Sequence, residues 1–258
     1  MKGISVLHLS ESDIDNGGAR AAYRLNKGLQ SIGCTSQMLV RAKVSADKTV
    51  ISEKSVLTKL GPSISGIPLN LFGHSPSDMF SPQWFPDVIA SKAAKIHSDI
   101  LNLHWVCNGF LRIESIAKMN KPLVWTLHDM WPFTGGCHYS GECEKYIESC
   151  GSCPQLQSNH RKDISTWVWQ RKVKKWSSLN VTIVSPSSWL AACAQASSLF
   201  KDNRIEVIPN GVDPFIYRPI NRYVAREILN VSPEKQYILF GSMNPADPRK
   251  GFQLLQPA

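Results

Sequence analysis

Residues 122–154 read PLVWTLHDMWPFTGGCHYSGECEKYIESCGSCP, and this stretch decides how the rest of the chain is understood. Residues 123–127 form a short continuous apolar run, the pattern of a strand buried on both faces. The run ends on His128 and Asp129. Ligands of open α/β sheets collect just beyond the carboxyl ends of the strands, so this pair is the first candidate for catalysis. Four cysteines follow, Cys137, Cys143, Cys150 and Cys153, spaced C-x5-C-x6-C-x2-C. Four thiolates close a tetrahedron around zinc and leave no open position for a substrate. The expectation is therefore a structural zinc that stiffens the loop behind His128, with no catalytic metal. His138 is a reserve ligand, and two disulfides are the rival reading. Cys34, Cys107 and Cys193 stand in apolar or helical contexts and read as core residues.

Working outward, the same strand-then-loop pattern recurs. Residues 4–9 (ISVLHL) read as a buried strand, followed by Asn16-Gly17-Gly18-Ala19-Arg20 and a helical stripe of Ala22, Leu25, Leu29 and Ile32 that ends at Gly33. Strand, glycine turn and helix N-terminus together suit an anion, because free N–H groups face it and glycine lets it approach. Gly17, Gly18 and Arg20 are the candidate phosphate-binding residues, and a plain tight turn is the rival reading. Further strands are expected at 37–41, 99–105, 181–184, 205–208 and 237–241, and helices at 88–97, 109–119 and 223–229. Alternating strands and helices predict a parallel sheet with right-handed crossovers. Residues 44–86 lack periodicity and carry the aromatic cluster Phe80, Trp84 and Phe85, which reads as an acceptor-side flap or as an excursion with a small core of its own.

Composition sets limits. The chain has 258 residues, 43% hydrophobic and 19% charged, enough for one large domain or two modest ones. A net charge of +9 suits anionic partners such as nucleotide or lipid phosphates. No finger or RNP pattern is present, which argues against nucleic acid. Residues 164–178 (ISTWVWQRKVKKWSS) combine tryptophans with Arg171, Lys172, Lys174 and Lys175. The helix reads either as a peripheral contact with an anionic membrane or as a core-packed helix with a solvated basic face. No apolar run reaches the ~18 residues of a membrane span, and the first residues do not make a signal peptide. A cytoplasmic protein is expected, at most peripheral on the inner face of the membrane. Seven cysteines without an export signal favour thiols or metal over a disulfide framework.

Five segments, in order, resemble a retaining glycosyltransferase of the GT-B fold, of the large family 4 that builds bacterial polysaccharides and glycolipids. They are Gly17-Gly18-Ala19-Arg20, Thr126-Leu127-His128-Asp129, Pro186-Ser187-Ser188-Trp189, Val207-Ile208-Pro209-Asn210-Gly211-Val212-Asp213 and Arg249-Lys250-Gly251. HDMWPFTGGC followed by clustered cysteines is similar to one bacterial subgroup. The resemblance implies an α/β protein with an acceptor-side Rossmann-like domain over 1–213 that carries the cysteine-rich insertion 137–153. It implies a linker region over 214–234 and the start of a second, nucleotide-sugar-binding domain over 235–258. It further implies that Gly17 and Gly18 line the cleft near the donor phosphates, that His128 contacts the donor sugar, and that Lys250, with Arg249, neutralises the leaving diphosphate. Ser242 stands where the family usually has arginine. The family's late acidic motif has no counterpart up to residue 258, so a fragment with weak activity is expected. The expected partners are a nucleotide-sugar donor and a saccharide or lipid-linked acceptor. A non-catalytic, zinc-stabilised binding domain on anionic lipid or nucleic acid is the alternative, and a GT-B epimerase or phosphorylase a third.

Overall fold

Every residue of the first strand, β1 (Ser5–Ser12), is buried, as its apolar run requires of a strand in the middle of a sheet. The computed structural model describes residues 3–73, 76 and 78–255. Residues 74, 75 and 77 of the 44–86 stretch, and 256–258 of the 235–258 region, lie outside the described residues. After β1 come α1 (Gly17–Ser31), β2 (Thr35–Ala42), β3 (Val50–Ser52), α2 (Val56–Ile64), α3 (Ile67–Leu71), α4 (Ile89–Lys95) and β4 (Ile100–Leu103). Then follow α5 (Ile113–Ile116), β5 (Leu123–Thr126), α6 (Ile164–Trp176), β6 (Val181–Ser185), α7 (Ser188–Ala196) and β7 (Ile205–Val207). The strands form one parallel sheet in the order β3-β2-β1-β4-β5-β6-β7, a Rossmann-like α/β arrangement. The strand order reverses between β1 and β4, which makes their carboxyl ends the natural ligand crevice.

Pairing in register sorts the side chains into two faces, because neighbours across a sheet point the same way and successive residues alternate. One row runs Leu39, Leu9, Leu103, Trp125, Ile183 across five strands. All five belong to the main core, with Ile89 of α4, Ile113 of α5, and Ile164, Val168 and Trp176 of α6. Trp125 packs edge-on against Trp176, ring centres 5.3 Å apart, and against Phe200 at 6.1 Å. The adjacent row, on the opposite face, runs Met38, His8, Asn102, Val124, Thr182. This face is half polar, and α1 covers part of it. Its buried residues are Ala19, Ala22 and Asn26, while Leu25 and Ile32 are exposed. The stripe read from the spacing is thus only partly inward, with Ala22 buried, Leu29 half-buried, and Leu25 and Ile32 facing out, while Asn26 turns in to bond Ser36.

Helix α6 sits in the core. Lys172 is fully buried, donating to the carbonyls of Trp131 and Thr134 with its ammonium 3.7 Å from the Trp131 ring centre. Arg171 grips Glu114 through two hydrogen bonds of 2.8 Å. Lys174 and Lys175 are exposed. The 44–86 stretch is more regular than expected, holding β3, α2 and α3. Gly61 of α2 lies on Gly109, so that a Cβ on Gly61 would stand 2.6 Å from the Gly109 carbonyl oxygen. Gly109 itself has φ +71°, a conformation that favours glycine. The helix expected over 109–119 is confined to α5.

The chain divides into two compact units, Met1–Val212 and Asp213–Ala258. The second holds α8 (Arg222–Ile228), a 3-10 turn at Pro248–Lys250 and α9 (Phe252–Leu255). The strand expected at 237–241 is not formed. A strand needs a neighbour for its backbone groups, and this unit has no other strand among the described residues. Ile238 and Leu239 of that run are 84% and 96% exposed.

Candidate functional site

His128 follows β5, one strand beyond the β1/β4 switch point, and the start of α1, the helix that leaves β1, comes up against it. Asn16 caps α1, its side-chain oxygen accepting from the Ala19 N–H at 2.9 Å, which fixes the first turn. Gly17 and Gly18 open the helix, and a Cβ on Gly18 would stand 3.1 Å from the His128 ring. Glycine at 18 therefore sets how closely the helix N-terminus approaches the imidazole. Arg20 donates through Nε to the Ile14 carbonyl at 2.9 Å, tying the β1–α1 loop to the helix. Gly18 and His128 thus lie side by side, with Gly17 the residue before Gly18 in the same helix turn. Arg249 and Lys250 belong to the second unit, where Arg249 pairs with Asp247 at 2.8 Å.

Behind His128 the α1 face of the sheet holds a file of hydrogen-bonded histidines. His128 Nε2 lies 3.1 Å from His104 Nδ1, and His104 Nε2 lies 3.0 Å from His8 Nδ1. His8 Nε2 is 3.1 Å from the Ser36 hydroxyl, which donates to Asn26 Oδ1 at 2.7 Å. Burial pushes His8 and His128 down to about 4, against a weaker upward pull of Asp129 on His128. Burial, then the charges of its two neighbours, likewise pushes His104 well below the ordinary value. All three imidazoles are therefore neutral at physiological pH. His8 and His104 were not among the residues singled out from sequence. A signal was present: Leu-His occurs at 7–8, 103–104 and 127–128, on strands that the fold makes neighbours.

Asp129 points elsewhere. One oxygen accepts from the Trp105 indole at 2.8 Å and from His138 Nδ1 at 2.6 Å, the other from the Trp131 N–H at 2.9 Å. Burial alone would raise its carboxyl, but the His138 charge and these donors outweigh that and hold it below the usual range. This bonding shapes the turn after β5. His138 spends its second nitrogen on Ser81 at 2.9 Å.

The four clustered cysteines all line one cavity of about 20 Å³, together with Phe80, Thr134 and Tyr146. The Gly135 N–H donates to Cys150 Sγ at 3.1 Å. None of the seven cysteines is in a disulfide. Among the described residues no three His, Cys, Asp or Glu side chains are gathered so as to hold a metal ion.

Comparison with known proteins agrees with this geometry. Over 127 residues the chain is 30% identical to the putative colanic acid biosynthesis glycosyl transferase WcaC of Escherichia coli (strain K12). That match covers 46% of this chain, and the chain spans 31% of the length of that relative. The family described as Glycosyltransferase Family 4 matches residues 15–214, from the loop before Gly17 into the start of the second unit. The chain, with its parallel sheet and the histidine-glycine crevice beside its switch point, belongs to glycosyltransferase family 4.

Proposed function

We propose that this chain takes part in moving a sugar from a nucleotide-sugar donor to a saccharide or lipid-linked acceptor, with retention, in cell-surface polysaccharide biosynthesis. The observation that carries the reading is the seating of His128 against Gly18 beside the switch point of a family 4 sheet. In this reading the first unit is the acceptor side, the α1 N-terminus faces donor phosphate, and His128 meets a sugar hydroxyl. Departure of the nucleotide builds negative charge on phosphate, which cations and backbone N–H groups stabilise without a metal. Lys250 and Arg249 are the cations assigned to that task. The Escherichia coli relative is named for colanic acid biosynthesis, and a role in building an acid of that kind is carried over as part of this reading. The test is incorporation of sugar from a panel of UDP-, GDP- and dTDP-sugars into oligosaccharide and lipid-linked acceptors. The anomeric configuration of the product is read by NMR. Incorporation that disappears in His128→Ala supports the reading, and incorporation that is indifferent to His128 removes it.

We also propose a structural zinc on Cys137, Cys143, Cys150 and Cys153. The support is that all four line one small cavity at the loop behind Asp129, and binding would have to draw their thiols together, since no three of them are gathered to hold an ion among the described residues. When bound, the metal supplies cross-linking and no chemistry of transfer. Elemental analysis of protein purified under reducing conditions decides it: about one zinc per chain, lost in Cys150→Ser, is expected. Peripheral contact with an anionic, cytoplasmic membrane face is assigned to the exposed Lys174, Lys175 and Trp167 of α6. Sedimentation with anionic and neutral vesicles tests it, and equal partitioning overturns it.

A further inference from the structure

A file of neutral imidazoles can carry its protons in either of two senses, and the sense decides what the outermost ring offers to a ligand. If each ring is protonated on Nε2, His128 shows a bare Nδ1, an acceptor. If each is protonated on Nδ1, His128 shows an N–H, a donor. We propose that the far end of this file fixes the first sense, so that His8 and His104 are positioning residues that hold His128 as a hydrogen-bond acceptor for a hydroxyl group.

The argument starts away from the cleft. The Asp47 carboxylate accepts from Tyr23 at 2.9 Å, from Lys27 at 3.1 Å, and from both the N–H and the hydroxyl of Thr49 at 2.8 Å. Burial opposes its charge, but these donors hold the carboxyl far below its ordinary range, so it is an acceptor only. The single proton of the Thr49 hydroxyl is thus spent on Asp47. Thr49 Oγ1 must then accept from Asn26 Nδ2, at 3.2 Å. That orients the Asn26 amide with Oδ1 toward Ser36. Gln30 fixes the same orientation independently. Its amide nitrogen is held by the Ser36 backbone carbonyl at 2.8 Å and also faces Asn26 Oδ1 and Thr49 Oγ1.

With Asn26 Oδ1 facing it at 2.7 Å, the Ser36 hydroxyl donates there and can only accept from His8. His8 is therefore protonated on Nε2 and bare on Nδ1. His104 Nε2 then donates to His8 Nδ1, and His128 Nε2 donates to His104 Nδ1. Reversing the file would set the Ser36 oxygen against Asn26 Oδ1 with no proton between them. It would leave an acceptor–acceptor contact in a site that is buried throughout.

His128 Nδ1 takes no hydrogen bond from the described residues. His128 is half-buried rather than enclosed, unlike His8 and His104 behind it. A bare ring nitrogen accepts from a hydroxyl and repels phosphate or carboxylate oxygen. The group received at His128 is accordingly a neutral hydroxyl, such as that of a sugar. That last step rests on the proposed function; the protonation pattern does not.

Long-range 1H–15N correlation on the full chain labelled with 15N-histidine tests the pattern without any turnover. His8, His104 and His128 should each show a protonated Nε2 and a bare Nδ1. A protonated Nδ1 on His128 overturns the proposal. Ser36→Ala removes the acceptor that sets the sense, and His128 should then divide between the two tautomers. Ser36→Thr, which keeps a hydroxyl, should restore a single one. A His128 that stays wholly Nε2-protonated in Ser36→Ala also overturns the proposal. Should either variant fail to fold, the wild-type spectrum decides alone. Absence of transferase activity beside the expected spectrum would count against the functional reading only.

Discussion

The two faces of the sheet differ in what holds them. On one, the row Leu39, Leu9, Leu103, Trp125, Ile183 meets α4, α5 and α6 through apolar contact that has no required direction. On the other, His8, Ser36 and Asn26 meet through hydrogen bonds that succeed only in one orientation. Non-directional burial tolerates small shifts and supplies most of the stability. A polar file tolerates none, since each unpaired member costs its own desolvation. The contrast shows a division of labour: the apolar face keeps the strands together, and the polar face transmits an orientation to the one residue that emerges at the crevice.

The largest effect should come from the apolar face. Trp125 is fully buried among Trp131, Trp176 and Phe200. Trp125→Ala should cost about 3–5 kcal/mol in urea unfolding. A loss under about 1 kcal/mol would mean that this cluster is not where stability resides.

The next concerns the polar face. His104→Leu orphans His8 Nδ1 and His128 Nε2 and should cost about 1–3 kcal/mol. It should also change the acid limb. Between pH 6.5 and 4 the unfolded chain binds protons that the buried, downshifted histidines refuse. Stability therefore rises with pH across that window, and is lost as pH falls, by up to about 1.4 kcal/mol per pH unit for each histidine. His104→Leu should shallow that slope. An unchanged slope would show that the file is hydrated and that the two faces differ less than described.

A third test sits inside the apolar side. Burial pushes Lys172 down to about 7, partly opposed by neighbouring thiols and Asp129. From pH 7 to about 10 the unfolded chain holds a lysine proton that the folded chain releases. Wild-type stability relative to Lys172→Met should thus rise with pH, by up to about 1.4 kcal/mol per pH unit. A flat difference would mean that the ammonium stays charged under the Trp131 ring.

The smallest effect is expected at Gly18. In Gly18→Ala the gain in helix propensity offsets crowding of the His128 ring, leaving stability within about 1 kcal/mol of wild type. The His128 nitrogen resonances should move nonetheless. Unmoved resonances would show that the helix start does not set the ring's place.

Much of this was legible in the sequence. Apolar runs placed β1, β4 and β5, because strands buried on both faces read as continuous hydrophobic segments, and shorter apolar runs placed β6 and the half-exposed edge strand β7. Asn16-Gly17-Gly18 announced a capped helix, and His128 a strand-end residue. Short β3 was missed inside the irregular 44–86 stretch, since Val50 to Ser52 is too brief to show a period. The α1 stripe is right at Ala22 and wrong at Leu25 and Ile32, because Asn26 is inward, and a buried amide with satisfied bonds leaves no hydrophobic trace. The histidine file was hidden for a related reason. Its members lie 96 and 24 residues apart in sequence, and the order of the strands alone makes them neighbours. The cysteines were recognisable as a group, and they share one cavity.

The crossing of Gly61 over Gly109 bears on how such a protein can diversify. The contact is main chain on main chain, so it reads no side chain on either segment. The inward side chains Thr58, Pro68 and Leu69 hold the segment as well, so its freedom lies on the outward side. Its outward surface, with Val56, Leu60 and Leu71 in this chain, can change without disturbing the layer beneath. The segment works as an exchangeable tile: its socket is set by the glycine crossing and a few inward side chains, and its outer pattern is open to reassignment.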